Sequence, residues 1–517
     1  MTARHALGSL IAAATLLRLA WAASLGPGND EAYYFLFTAH PDWSYFDQPP
    51  MVALVEAAGL ILRGGVATPL TLRLGFIALA AGSTALMARL TARLHGPDAG
   101  VLAAFLLNAT GYFGLAAGAF ALPDGPLLFF WLLTLDRLVV AQRSPGRVGP
   151  WIGVGLAWGG ALLSKYHAVF LPAGFLLYLL SERRERGVLR TPGPYLALAL
   201  GGLLFAPVVA WNAAHGWASF AFQASRAVGP LAVRIDAVAA AVGGSALYLF
   251  PWIWVGLARV LGRGGGPAGA RDPAERLLWC QAVVPLAAFA AVACVRPVLP
   301  HWSLVGFVPL LPGLGRDWDQ LRRADPARLR RRLVLWAAAP VVLALGAATH
   351  ARWGWLQRGG RGTLGLVAAA GDPTVDLFGW DQVARQLRAR GLIDRPGTFL
   401  FTSHWYDSAQ VAFATGRRVP VLCYSAHDPR GFAAWSRPEG AVGRDGILLV
   451  VGPSSTEPAA YDRWFERIEP LGAFDVTRAG ASVRPIRLYR CVRQTRPFPG
   501  GAGPTGGAAG PGSVRVE

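Results

Sequence analysis

Gly28-Asn29-Asp30-Glu31-Ala32-Tyr33-Tyr34, followed after Asp42 by Tyr45-Phe46-Asp47-Gln48-Pro49-Pro50, stands just past the first hydrophobic segment of an otherwise apolar chain. Ionised carboxylates near hydrocarbon are costly unless they face water, a partner or a reacting group, so acids gathered at the membrane boundary mark a candidate active site. The plain alternative is a solvated loop that follows a helix. Acids that alternate with aromatics and prolines, where a linker would use Ser, Gly and Lys, argue against it.

Around this stretch lie 517 residues, 53% hydrophobic and 15% charged. Soluble globular proteins have roughly 45–50% apolar and about 25% charged residues, so the chain is an integral membrane protein. The net charge of +19 does not point to nucleic acid, because the arginines sit mainly in short loops between hydrophobic segments, where basic residues set orientation. Lys165 is the single lysine among 49 Lys+Arg; with 63 Gly and 38 Pro, this is the usage of a GC-rich bacterial genome and carries no mechanism. Cys280 and Cys294 fall in apolar stretches and read as small core residues. Cys423 and Cys491 lie in the C-terminal part and are placed to pair if that part is outside the cytoplasm.

A helix crossing about 30 Å of hydrocarbon needs roughly 20 mostly apolar residues. Segments of this kind run over 6–25, 69–93, 98–119, 124–142, 150–164, 166–181, 194–212, 237–261, 277–295, 300–316 and 333–350, an expectation of about eleven spans. Ala20-Trp21-Ala22 imitates a signal-peptide cleavage site, but its use would untether the acidic loop. The first segment is therefore read as a retained span. With Arg4 inside, the loops carrying Arg89 and Arg93, Arg143 and Arg147, Arg183 to Arg190, Arg263, Arg271 and Arg276, and Arg322 to Arg332 all fall on the cytoplasmic face. The opposite face receives the loop 26–68, the Pro123-Asp124 turn, Ser164-Lys165-Tyr166, the loop 213–236 and Arg296-Pro297-Val298-Leu299-Pro300-His301-Trp302. The polar groups suited to chemistry thus share one side.

The expected organisation is a transmembrane domain over 1–350 with a long first outer loop, 26–68; a small soluble α/β domain over 351–495, outside; and a disordered Gly/Pro-rich tail over 496–517. In the α/β domain, Asp376 to Arg390 and Tyr406 to Ala414 have helical spacing. Thr398–Thr402, Val419–Tyr424, Ile447–Val451 and Ile486–Val492 read as strands.

With Asp30-Glu31 and the Tyr45-Phe46-Asp47-Gln48-Pro49-Pro50 element, the chain resembles the bacterial members of the C-type membrane glycosyltransferases, the superfamily of protein O-mannosyltransferases (dolichyl-phosphate-mannose-dependent) and aminoarabinose lipid A transferases. The resemblance covers the layout of residues 1–350. It implies a bacterial inner-membrane enzyme that moves a sugar, with inversion, from a polyprenyl-phosphate donor to a lipid, glycan or protein acceptor at the outer face. Asp30 and Glu31 are the catalytic candidates, Asp30 matching the family's base and Glu31 holding the loop. A competing role for Asp30 is to cap a short helix that begins at Glu31. Asp47 aligns with the acid of the family's Tyr-Phe-Glu-Lys-Pro-Pro element, which is associated with a metal. Gln48 replaces the lysine that element uses for lipid phosphate, and Tyr45 opens it.

The donor phosphate must then find its cation elsewhere, and Lys165 and Arg296, at outer ends of spans, are the candidates. Each also has a bland role, Lys165 snorkelling to the interface and Arg296 flanking its helix. His301 is placed to touch the donor headgroup or to join Asp47 at a divalent metal; a hydrogen-bonded structural His is the alternative. Asp124 is placed to cap its helix or to orient sugar hydroxyls. No phosphate loop, Cys-x-x-Cys or His-Glu-x-x-His motif occurs, so neither ATP-driven transport nor thiol or zinc-protease chemistry has support. The rivals from other classes are a transporter or flippase of a lipid-linked sugar and a non-catalytic assembly subunit. Acids gathered at one edge, without two matching halves, favour the enzyme over a transporter.

Overall fold

Backbone in hydrocarbon has to satisfy its own hydrogen bonds, so apolar runs become helices. The computed structural model describes residues 2–226, 234–264, 272–436 and 438–499. Five helices are long and apolar enough to cross a membrane: Ala3–Ser24, Pro69–His95, Gly193–Ala214, Pro273–Ala293 and Pro326–Trp353. Two further stretches are each broken, Pro97–Asn108 from Tyr112–Ala119 by 87° and Ile235–Leu249 from Pro251–Gly264 by 112°. Counting each bent pair as one span gives up to seven among the described residues.

Length and composition therefore support fewer spans than the eleven read from hydropathy. The segments 150–164 and 166–181 form the shorter apolar helices Val148–Ser164 and Tyr166–Ser181. The segment 300–316 winds as 3-10 turns, Pro300–Trp302 and Leu304–Leu310, before the more polar helix Leu311–Ala324. The break inside 237–261 falls at Phe250, with φ +63°; the following Pro251 disfavours helical geometry in its predecessor.

By its contacts the chain divides into two units: Met1–Ala20 with Gln48–Val55 and Arg73–Ala344, and Trp21–Asp47 with Glu56–Leu72 and Leu345–Glu517. The first unit has one continuous core running from Leu86 through Trp131 and Trp151 to Trp318 and Leu329. Its arginine-bearing loops meet at one end, joined by ion pairs. Asp136, fully buried, takes Arg89 at 2.8 Å and Arg93 at 2.9 Å. Glu275 takes Arg316 at 2.9 Å, Asp98 takes Arg322 at 2.9 Å, and Asp317 takes Arg263. The 20-residue helix Asp124–Arg143 separates this end from Asp124 by about 30 Å, at 1.5 Å of rise per residue.

In the second unit residues 21–47 pack with the C-terminal α/β domain. Gly26 lies so close to the backbone of Leu377 that a Cβ would sit 2.3 Å from its carbonyl oxygen. Gln410 Nε2 donates to the carbonyl of Pro27 and to Asn29 Oδ1. Five strands, β1 (Thr398–Thr402), β2 (Val421–Cys423), β3 (Asp445–Val451), β4 (Phe465–Arg478) and β5 (Ala481–Gln494), form one sheet in the order β2-β1-β3-β5-β4. β1 is parallel to β2 and β3, while β5 is antiparallel to β3 and β4. Side chains alternate between the faces. Leu400, Ile447 and Leu449 face one core, and Phe399, Phe401, Leu448 and Val450 face the other.

Strand β4 has no counterpart in the sequence reading, because Pro470 and Gly472 interrupt its pattern. They sit at a register shift on an edge strand, where proline is tolerated. The possible disulfide is corrected: Cys423 and Cys491 are free, buried thiols. Strands β1 and β3 lie between them, a separation of roughly 14 Å at about 4.8 Å per strand, beyond the ~7 Å limit between bridged Cα atoms. Most of the expected tail, residues 500–517, lies outside the described residues, as do Arg271 and residues 227–233 of the loop 213–236.

Candidate active site

Lys165 occupies the gap between two helices. Val148–Ser164 ends there, Lys165 is extended (φ −161°, ψ 143°), and the chain re-enters helix through the turn Tyr166–Val169. The extended residue turns its ammonium to Asp124, the first residue of Asp124–Arg143, with Nζ donating to both carboxylate oxygens at 3.0 and 2.8 Å. Asp124 caps nothing: the cap position is Pro123, and no side-chain cap bond forms. Lys165 is only 7% exposed. Burying a pair of charges costs several kcal/mol per ion unless the geometry repays it, so a pair held this way at a helix end needs a reason beyond stability.

The surroundings supply more positive and hydrogen-bonding groups. His301, on the turn Pro300–Trp302, stacks on Tyr112 at 5.7 Å between ring centroids. His167 lies 5.0 Å from Phe289, and its buried Nε2 has no hydrogen-bond partner among the described residues. Arg226 lies 4.7 Å over the ring of Trp302. Arg296 donates Nη1 to the carbonyl of Ser225, which ties its span end to the residue before Arg226. His167 and His301 both sense the charges of Lys165, Asp124 and Arg226. One carboxylate among a lysine, an arginine and two imidazoles leaves a net positive cluster, the electrostatics an anionic headgroup requires.

The second unit holds the acidic element. Its helix is Asn29–Phe37, capped at Gly28, with Asp30 and Glu31 in the first turn, where carboxylates complement the helix dipole. Asp30 is exposed. Glu31 is 2% exposed, and its Oε2 accepts from the Gly28 N–H at 2.8 Å, so the capping contact belongs to Glu31. Asp47 is buried and accepts from Arg430 Nη1 at 3.2 Å. The Arg430 guanidinium lies 3.7 Å over the Trp405 ring; among the acids it feels Asp47 first and Asp30 next. Tyr45 stacks on Phe37 at 3.8 Å and donates its hydroxyl to the Phe37 carbonyl at 3.1 Å. Burial pushes that hydroxyl up to about 12, so Tyr45 shapes the loop and offers no acid. Gln48, half-buried, brings no charge.

Asp47 and His301 fall in different units, and no group of three metal-ligating side chains occurs among the described residues. At Asp47 the donor set is a carboxylate facing a guanidinium, which does not suit a divalent cation. We derive no step through a metal.

Glu56 is a residue that sequence reasoning passed over. It lies on Met51–Leu62, a 12-residue helix of about 18 Å, too short to span. The residue is fully buried, and neither carboxyl oxygen has a hydrogen-bond partner among the described residues. Burial first, and the charge of Glu31 second, raise it well above the usual carboxylate range. A raised folded-state value gives stability that is complete below the unfolded value of about 4.3 and is lost as pH rises through the folded value. Glu56→Gln removes that loss, so its melting temperature relative to the parent protein is expected to climb between pH 4 and pH 8. Parallel melting curves across that range would contradict this account. Arg430, His167 and Arg226 were also missed. A lone Arg in Asp428-Pro429-Arg430-Gly431 reads as an ordinary turn, and only the fold brings it to Asp47, 383 residues away.

The chain is similar to known proteins. The family described as dolichyl-phosphate-mannose-protein mannosyltransferase matches residues 47–211. The lipid A galacturonosyltransferase RgtD of Rhizobium johnstonii is 25% identical over 293 residues, 54% of this chain. The match spans 58% of the length of that relative. ArnT from Cupriavidus metallidurans bound to undecaprenyl phosphate superposes with a TM-score of 0.63 at 18% identity, over 93% of this chain and 97% of ArnT. Its apo form gives 0.62 at 17% identity, over 95% and 98%.

Proposed function

We propose that the chain is a C-type membrane glycosyltransferase, a reading that its fold and the family match over residues 47–211 support, and that it is an inverting enzyme using a polyprenyl-phosphate-linked sugar. The reaction joins an acceptor oxygen to the anomeric carbon as the bond from that carbon to the phosphate oxygen breaks. The acceptor proton goes to a carboxylate, and the bonding pair leaves on polyprenyl phosphate. Asp30 takes the proton: it is an exposed acid on a rigid first turn, with Glu31 fixing the turn through Gly28. Lys165 and Arg226 receive the phosphate, His167 and His301 donate to it, and Asp124 holds Lys165 in place. A hydroxyl-bearing envelope lipid is the favoured acceptor, because RgtD acts on lipid A. The C-terminal α/β domain is assigned to the outer face, with the loop it packs against.

The observation that carries the reading is the ArnT fold over nearly the whole chain, together with a buried Lys165–Asp124 pair set among cationic and imidazole groups. The test compares envelope lipids and glycans, by mass spectrometry, from cells with and without the protein. It then incubates purified protein with a polyprenyl-phosphate sugar and the lipid that changed. The expected result is one glycosylated product per polyprenyl phosphate released. An unchanged envelope and no polyprenyl phosphate released would end the proposal.

A further inference from the structure

At the arginine-rich end of the first unit a cavity of about 540 Å³ opens between Pro251–Gly264, Leu311–Ala324 and the start of Pro326–Trp353, with Arg259, Arg332, Trp252, Trp318 and Trp336 among its walls. Its three indoles lie in sequence and tilted to one another, Trp252 to Trp336 at 6.2 Å and Trp336 to Trp318 at 4.5 Å between centroids. Its acid, Asp317, is already engaged by Arg263 and by Arg316 at 3.8 Å. Neither Arg259 nor Arg332 has an acidic partner among the described residues. Arg332 instead senses Arg259, Arg328 and Arg331. Like charges held together beside apolar surface repel one another, whereas Arg89, Arg316 and Arg322 of this end are paired with Asp136, with Glu275, and with Asp98 and Asp319.

We propose that this cavity binds an anionic phospholipid of the adjoining leaflet, its phosphate between Arg259 and Arg332 and its acyl chains along Trp252 and Trp336. Three features select that occupant. Guanidinium groups match phosphate oxygens bidentately. Indole rings collect at headgroup depth, where an apolar body meets a polar rim. Trp252 and Val255 are each 40% exposed, so the cavity wall continues onto the surface that lipid covers. None of the residues assigned to the proposed reaction lines this cavity, and the site does not depend on that reaction.

The test uses the full chain purified in detergent, with native mass spectrometry and thermal unfolding during titration with phosphatidylglycerol, phosphatidylcholine or inorganic phosphate. Phosphatidylglycerol is expected to give a bound adduct and a higher melting temperature, at least fivefold more tightly than phosphatidylcholine. Arg259→Gln with Arg332→Gln should remove that preference, while the same charge change at Arg183 and Arg184 should keep it. Equal responses to both lipids, a preference retained in the Arg259/Arg332 variant, or equal loss in the Arg183/Arg184 variant each overturn the site. A full shift with inorganic phosphate alone overturns the lipid assignment. Should the Arg259/Arg332 variant fail to fold, the lipid preference of the parent and the Arg183/Arg184 variant decide.

Discussion

Asp30→Asn is expected to cut turnover by two to four orders of magnitude while leaving donor affinity within about twofold. The size is that of a lost general base, about 10² to 10⁴ in rate. The selectivity follows from where Asp30 sits. It occupies the second position of Asn29–Phe37, and the contact that closes the helix end runs from Gly28 N–H to Glu31, not to Asp30. Asparagine keeps the volume and the helix; what is lost structurally is one carboxylate in a first turn, roughly 0.3–1 kcal/mol. Asp30 is exposed, so no buried cavity follows from the change. Single-turnover rates with a polyprenyl-phosphate sugar, beside donor titration of the same preparation, separate the two quantities. Turnover within threefold of the parent protein would remove Asp30 from chemistry and leave it a solvated helix-end acid.

The reasons some features were visible in sequence and others were not are physical. Long apolar runs announce helices locally, so Ala3–Ser24, Pro69–His95, Gly193–Ala214 and Pro273–Ala293 begin and end within a few residues of their hydropathy limits. Bends are less local: Phe250-Pro251 turns its helix by 112°, while the apolar count across it is unbroken. In the α/β domain, β1 and β3 are short apolar runs and β5 intersperses apolar residues with arginines, whereas β4 breaks its pattern around Pro470. Its sheet order, which keeps Cys423 and Cys491 apart, is a property of topology that no residue spacing encodes. Single candidate residues stood out where an ionisable group meets an apolar segment, as at Asp30, Asp124, Lys165 and His301. Their partnerships were not, because Lys165 reaches back 41 residues to Asp124 and Arg430 reaches 383 to Asp47. Arg296, read as a candidate phosphate ligand, donates to the Ser225 carbonyl beside Arg226, the arginine that lies over the Trp302 ring.

Replacing Lys165 by Met should lower both stability and donor affinity, and a second substitution separates the two effects. In the single variant Asp124 keeps its charge in a site where the two side chains are 12% and 9% exposed. Removing one member of a buried pair typically costs about 3–5 kcal/mol, because the remaining ion is uncompensated. Asp124→Asn on that background neutralises the stranded group, and melting temperature is expected to return most of the way to the parent value. Donor binding should not return with it. A charge-assisted hydrogen bond to phosphate contributes roughly 1.5–3 kcal/mol, about 10- to 100-fold in dissociation constant, and neither Met nor Asn supplies it. The double variant, stable yet at least tenfold weaker for polyprenyl-phosphate sugar, would show that Lys165 serves the ligand as well as Asp124. A double variant with parental affinity would confine Lys165 to its ion pair, and the phosphate would then fall to Arg226 alone among the cations gathered around Asp124.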